Sequence, residues 1–330
     1  MATFTDTGFL TLVDITKTLR PDGSVETDMA QLMQKKTPFI EDIPWVEANE
    51  VSGHLVTSVV GLPEPTWRGY NEGSPTTKGE FEQYVEKIGM LEDFSRVDVK
   101  LAERNGQPND YRLSQDRLKV QGFGQKVEQA FLYESVVTSP KAIHGLTPRY
   151  PASSGYTASD YVIALGSLAG SNARSIWLIN WDPDSMFGIF PKGSVAGLQQ
   201  VDRGIREVTS PVNGLPMEAY VTKFNWDCGL TVKDYRRAVR MQWDPDDVSH
   251  TDGAKTLYLG LQRMLDTVHD LGPNARFYMD RVSMAKINAQ LASNVDSSLT
   301  WVELNGRLTP HFRGIPIRIS EILTGESAIS

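Results

Sequence analysis

The tetrapeptide Trp-Asp-Pro-Asp occurs twice, at residues 181–184 and 243–246, and comes nearest to a reactive pattern. The carboxylates of Asp182, Asp184, Asp246 and Asp247 could hold calcium or divide into a general acid and a general base. The D-x-D-x-D-G spacing of a calcium loop is missing, and each copy follows an apolar β-forming run. Asp as a side-chain acceptor and Pro as a fixed φ favour two turns instead. Trp67, Trp181, Trp243 and Trp301, with carboxylates nearby, could stack on sugars, so a carbohydrate-binding or carbohydrate-active enzyme is the alternative function. His54, His144, His250, His269 and His311 show no H-x-x-x-H pair, so zinc would need ligands gathered by folding alone. His269 is expected late in a helix, where a cation suits the dipole. Cys228 has no histidine or aspartate relay in sequence and reads as a packed thiol. There is no P-loop, G-x-G-x-x-G or G-x-S-x-G pattern. Arg236, Arg237 and Arg240 form the one dense basic cluster. Asp234 is close by, so ion pairing between copies of the chain is favoured over nucleic-acid contact. No residue is assigned a catalytic, cofactor-binding or metal-binding role.

The elements that would position these residues alternate between strand and helix. Residues 1–52 read as an arm: TLVDITKT and a helical pattern at Met29, Leu32 and Met33 are separated and followed by Pro21, Pro38 and Pro44. Phe39 and Trp45 are therefore expected to be covered by a neighbour. GHLVTSVVG (53–61) and EFEQYVEKIGML (80–91) read as strands joined by a polar connector far longer than a hairpin loop. Residues 114–134 carry Val120, Phe123, Val127, Ala130 and Phe131 on one helical stripe, with Asp116 at the N-terminal end. Gly122 and Gly124 within it each cost about 1 kcal/mol, which close packing should offset. Between 173 and 243, apolar runs give two or three strands with turns marked by Pro183, Gly188 and Gly193. A helix follows from an N-cap at Asp252 to Gly272–Pro273, then strand ARFYM, then a helix capped by Asp280. LTWVEL and RLTPHF flank an Asn-Gly turn, and Ile315, Ile317 and Ile319 alternate in an edge-like strand.

The bulk properties are those of a globular chain. Its 330 residues suit one large domain or two modest ones. The apolar runs are short, so nothing spans a membrane, and the N-terminus has no basic n-region or cleavage pattern. A single cysteine excludes an internal disulfide and suits a reducing cytoplasm. A net charge of −8 disfavours a broad grip on phosphates.

FGIFPKG (187–193) and W-D-C-G-L-T-V-K-D-Y-R (226–236) resemble segments of the major capsid proteins of short-tailed bacteriophages. The likeness extends to TLVDI and DIPWVEAN in the arm and to GHLVTSVVGLPEPTWRGYNEGSPTTKG. It includes QAFLYES and SPKAIHGLTPRY after the long helix, and FRGIPIR (312–318), which is similar to a G-x-P-V strand of tailed-phage capsid proteins. The resemblance implies an α+β capsid shell fold of the tailed-phage and herpesvirus type. Its parts would be an N-terminal arm (1–52), an extended-loop hairpin (53–91), a peripheral domain with the spine helix 114–134 (92–250), and an axial domain (251–330). Because the arginine-rich stretch 234–240 precedes GIPIR, the peripheral and axial domains are expected in swapped chain order. The implied function is assembly through pentamers and hexamers into an icosahedral shell around double-stranded DNA, in the virion and built in the host cytoplasm. The implied partners are further copies, a separate scaffolding protein, a portal, a decoration or cement protein, and packaged DNA touched without sequence specificity. Expected copy-to-copy contacts are Phe39, Trp45, Glu64, Trp67, Arg68, Glu72, Lys78, Arg236, Arg237 and Arg240. No cofactor and no covalent cross-link at Lys78 are expected, and the mature particle should hold the whole chain.

Overall fold

A computed structural model describes residues 37–103, 108–152, 158–165, 168, 172–210, 213–245, 254–293, 299–304, 307–323 and 325–326. The early strands are β1 (Trp45–Glu47), β2 (Gly53–Gly61), β3 (Glu80–Lys87) and β4 (Gly89–Asp98). The middle ones are β5 (Val162–Leu165), β6 (Arg174–Asn180), β7 (Met186–Phe190), β8 (Gln199–Thr209), β9 (Pro216–Val232) and β10 (Ala238–Trp243). β11 (Ala275–Met279), β12 (Leu299–Leu304), β13 (Arg307–Phe312) and β14 (Ile315–Ile319) complete the set. The helices are α1 (Pro38–Asp42), α2 (Val99–Glu103), α3 (Pro108–Tyr133), α4 (Leu146–Arg149), α5 (Ala254–Thr267) and α6 (Arg281–Ser293).

Three sheets result. A five-stranded sheet runs β1-β7-β9-β4, with β8 also on β9; a seven-stranded sheet runs β12-β13-β14-β11-β6-β10-β5; β2 and β3 stand apart as a hairpin. The sequence of β6 explains its central place. Ser175 to Asn180 are all buried, the near-continuous apolar run of a strand covered on both faces. Ile176 and Leu178 join Leu257, Leu261, Met264 and Met284 beneath α5 and α6. The intervening Trp177 and Ile179 join Phe39 and Phe131 on the side of α1 and α3. The period of two thus splits one strand between two cores.

Several sequence expectations are corrected. Phe39 is 0 % exposed and stacks on Tyr278 at 4.0 Å between centroids, and half-buried Trp45 pairs in β1 with β7 against Phe131 and Trp226. Their own chain covers Phe39 completely and Trp45 in part. Gly188 is no turn; it lies inside β7, where a Cβ would meet Ile43 at 2.8 Å and Trp45 at 2.9 Å. α3 begins six residues before 114, so Asp116 lies inside it and accepts from Gln200 Nε2 at 3.1 Å. A Cβ at Gly122 would meet nothing and one at Gly124 only ordinary contacts, so close packing does not explain either glycine. His269 falls beyond the end of α5. β14 lies between β13 and β11 rather than at an edge; Pro316 pairs with His311 of β13 and precedes the pairing with β11, which begins at Ile317.

The domain boundaries also change. β3 ends at Lys87 and β4 belongs to the five-stranded sheet, so the hairpin stops short of residue 91. A division at 250/251 would cut the seven-stranded sheet, which takes β5, β6 and β10 from before it and β11 to β14 from after it. GIPIR and Tyr220–Lys223 lie in different sheets. Asp280 caps α6 as expected, accepting from the N–H groups of Val282 and Ser283. The arm motif TLVDI, the pattern at Met29–Met33, the Asp252 cap and Asp246–Asp247 lie outside the described residues.

Candidate assembly interface

The hairpin leaves the body of the chain and ends in the connector 62–79. Residues 62–78 are all exposed, Trp67 and Tyr70 completely so and Leu62 at 82 %. Glu64, Arg68, Glu72 and Lys78 share this segment. The loop makes one small turn of its own, where Glu72 accepts from Gly69 N–H at 2.9 Å and Asn71 takes φ 66°. Below it Val59, Val60, Phe81 and Val85 are also exposed along the strands. An apolar display of this kind on a polar support marks a surface meant to be covered.

The root is built differently. Glu86 on β3 meets Arg149 of α4 in a fork, Nη1–Oε1 and Nη2–Oε2 both 2.6 Å, with side chains only 6 % and 4 % exposed. The same guanidinium donates to the carbonyls of His144 and Leu230. This satisfies the planar donor set in a dry site, which an ammonium could not do. Tyr84 Oη donates to Val232 O at 3.0 Å and Lys87 Nζ to Pro140 O at 3.1 Å, tying β3 to β9 and to the segment after α3. On β2, His54 is buried edge-on to Phe187 at 5.5 Å and accepts from Asn49 N–H. Burial, then Lys233, pushes the His54 imidazole below its ordinary value; burial, then Arg149, does the same to His144. A cleft of about 950 Å³ lies beside this root, lined by Val59, Val60, Tyr84, Val137 and Lys233 among others.

The arginine cluster is split: Arg236 is exposed and Arg237 half-buried, whereas Arg240 lies inside the chain. Arg240 is 3 % exposed, pairs with Glu326 at 2.6 Å and donates to Ser175 Oγ and Tyr150 O. It lies in β10, in the middle of a sheet, and cannot reach another copy. Arg236 forks onto Asp234, while Arg237 reaches Asp270, all within the chain. The sugar-stacking alternative fails for a similar reason. Trp181 and Trp243 are buried and donate to Tyr278 Oη and Ser283 Oγ. The first Trp-Asp-Pro-Asp makes a turn, with Asp182 O accepting from the N–H groups of Ser185 and Met186. Cys228 is 4 % exposed and burial pushes its thiol up to about 12, as suits a packed side chain.

The profile of the major capsid protein GP7 family matches residues 20–330. The chain belongs to the major capsid protein GP7 family. The capsid protein is also similar to the structure of bacteriophage Epsilon15, with 29 % identity, 97 % of each chain covered and a TM-score of 0.73. It shares its fold with the capsid of bacteriophage JBD30 at 9 % identity and a TM-score of 0.50, over 95 % of this chain and 99 % of that one. No curated protein matches it. It is a structural component of a bacteriophage capsid shell, assembled from copies of itself, and not an enzyme.

Two buried groups escaped the sequence reading. Glu86 has the alternating β3 pattern around it, and only its position among exposed neighbours distinguishes it. Glu128 sits between Val127 and Phe131 on the core stripe of α3, 0 % exposed, accepting from Phe39 N–H at 3.3 Å and from Ser320 Oγ. Burial pushes its carboxyl up to about 8. A carboxylate interrupting an apolar helical stripe was the available signal.

Proposed function

We propose that the hairpin and its connector form the contact that joins neighbouring capsid subunits. The observation that carries this is the unbroken exposure of residues 62–78, with Leu62, Trp67 and Tyr70 offered to a partner surface. Glu64, Arg68, Glu72 and Lys78 supply both charge signs for pairing with it. Burying the three large side chains would contribute about 1.5–3 kcal/mol each, repeated at every copy in the shell. The anchored root serves this role by holding the reach and angle of the hairpin constant.

In this reading the subunit of a short-tailed phage builds pentamers and hexamers that close into an icosahedral shell around double-stranded DNA, in the host cytoplasm. A separate scaffolding protein and a portal complete assembly, and a decoration protein covers the outside. The net charge of −8 favours a wall that does not adhere to packaged DNA. Deleting residues 65–75 should leave a subunit with unchanged melting that sediments only as monomer. Normal shells from the deletion would overturn the proposal.

A further inference from the structure

The cleft beside the hairpin root is long rather than round. Ser52 and Val60 both line it, eight strand steps of about 3.3 Å apart, so it follows the hairpin for about 26 Å. One wall is the hairpin, with Val59, Val60 and Val85; the other is the body, with Val137, Lys233 and Tyr235. The valines of both walls are exposed, Val137 at 88 %. Lys233 is exposed as well, with its ammonium 5.0 Å from the centre of the Phe187 ring. Among the described residues no carboxylate pairs with it. Apolar walls and an unpaired cation suit an extended segment that is both apolar and acidic.

The connector has that composition. Residues 62–70 read Leu-Pro-Glu-Pro-Thr-Trp-Arg-Gly-Tyr, and 62–69 form neither helix nor strand. Pro63 and Pro65 fix φ and remove two backbone donors, so the segment is already extended and loses little freedom on docking. Leu62, Trp67 and Tyr70 can cover the valines. Glu64, which has no ion-pair partner among the described residues, can meet Lys233, and the hairpin wall offers exposed Glu82 to Arg68. The chain does not fill its own cleft, since residues 62–78 are exposed throughout. Segment and groove can therefore meet only between two copies.

We propose that the connector of one subunit lies in the hairpin cleft of the next, with Glu64 toward Lys233. This rests on the reading of the connector as the joining element and supplies the surface that receives it. Connector and cleft are different surfaces of one chain, so the contact is head-to-tail. A closed ring then leaves every connector seated and every cleft filled.

Shells of the full-length chain carrying Thr66→Cys and Val137→Cys, treated with a bismaleimide cross-linker, test this. The change at Thr66 leaves the aromatic anchors in place, and native Cys228 is buried and does not compete. Thr66→Cys with Val195→Cys is the control, because Val195 is 73 % exposed but lies outside the cleft. A seated connector holds its thiol at high effective concentration near Val137, so denaturing gels should show a ladder of linked chains at least about tenfold stronger for that pair. Loss of both thiols at the mass of one chain would overturn the proposal by seating the connector in its own cleft. Equal ladders, or a ladder from the Val195 pair alone, would overturn it by placing the connector elsewhere on the neighbour, with the connector still the joining element. No ladder from assembled shells would overturn it too, and the deletion of residues 65–75 decides the wider reading separately.

Discussion

Arg149→Met is expected to loosen the hairpin root by about 3–5 kcal/mol, the usual cost of leaving one member of a buried ion pair without its partner. Glu86 would keep its charge in a site where its side chain is only 6 % exposed. The two 2.6 Å bonds of the fork, at about 1.5–3 kcal/mol each for charged groups, give the same order independently. Methionine fills the aliphatic stem, so little of the loss comes from a cavity. Changing Glu86→Leu as well should recover most of it, because replacing a dry pair by apolar groups is often neutral or stabilising. The decisive readout is local. Amides of β2 and β3 should exchange roughly a hundredfold to a few thousandfold faster in Arg149→Met, since 1.4 kcal/mol is a factor of ten. Urea unfolding then measures how much of the loss reaches the whole subunit. If exchange in the hairpin is unchanged and the double variant is no better than the single one, the pair does not hold the root.

Other outcomes follow from buried groups and close contacts. The Glu128 carboxyl, held at about 8 by burial, binds its proton more tightly folded than unfolded, so its contribution is full below about pH 4.5 and is lost as pH rises through about 8. Glu128→Gln should flatten the fall of melting temperature across that window; an unchanged slope would refute the assignment. His54 and His144 have the opposite sign, with stability present above about pH 6.5 and lost on acidification. Gly188→Ala should destabilise the subunit by roughly 1–3 kcal/mol, because its methyl meets Ile43 and Trp45 inside 3 Å; a neutral result in urea would show that β1 can move away. Lys78 lies on the exposed connector, and denaturing gels of mature particles should show single chains, against which a ladder of high mass would count.

Local signals in the sequence mapped well wherever one residue type decides one geometry. The Asp280 cap, the Asp182–Pro183 turn and the ends of β2 are of this kind, because a side-chain acceptor or a proline acts on its own neighbours. The exposed connector was legible too, since its polar composition forbids a core. Pairing across long separations was not legible. Phe39 reads as an arm residue until Tyr278, 239 positions later, supplies the ring it stacks on. Arg240 reads as surface charge until Glu326 and Tyr150 surround it. Gly188 reads as a turn because the reason for it, the Trp45 ring, sits in another strand. The candidate interface was therefore located at its tip and missed at its root, where Glu86 and Arg149 are 63 residues apart.

β14 has a consequence for timing. It is formed by residues 315–319 of a 330-residue chain, yet lies inside a sheet, hydrogen-bonded in parallel to β11 on one side and antiparallel to β13 on the other. A ribosome adds about 5–20 residues per second, so for most of its synthesis the nascent chain has a gap where this strand belongs. The edge of β11 stays open until the last strand emerges and fills it. Subunits released early, by a stop codon or a stalled ribosome, therefore carry an exposed sheet edge and an incomplete core. An open edge of this kind is a template for pairing with another chain, so a subunit without β14 would be prone to aggregate instead of reaching the fold that a shell requires.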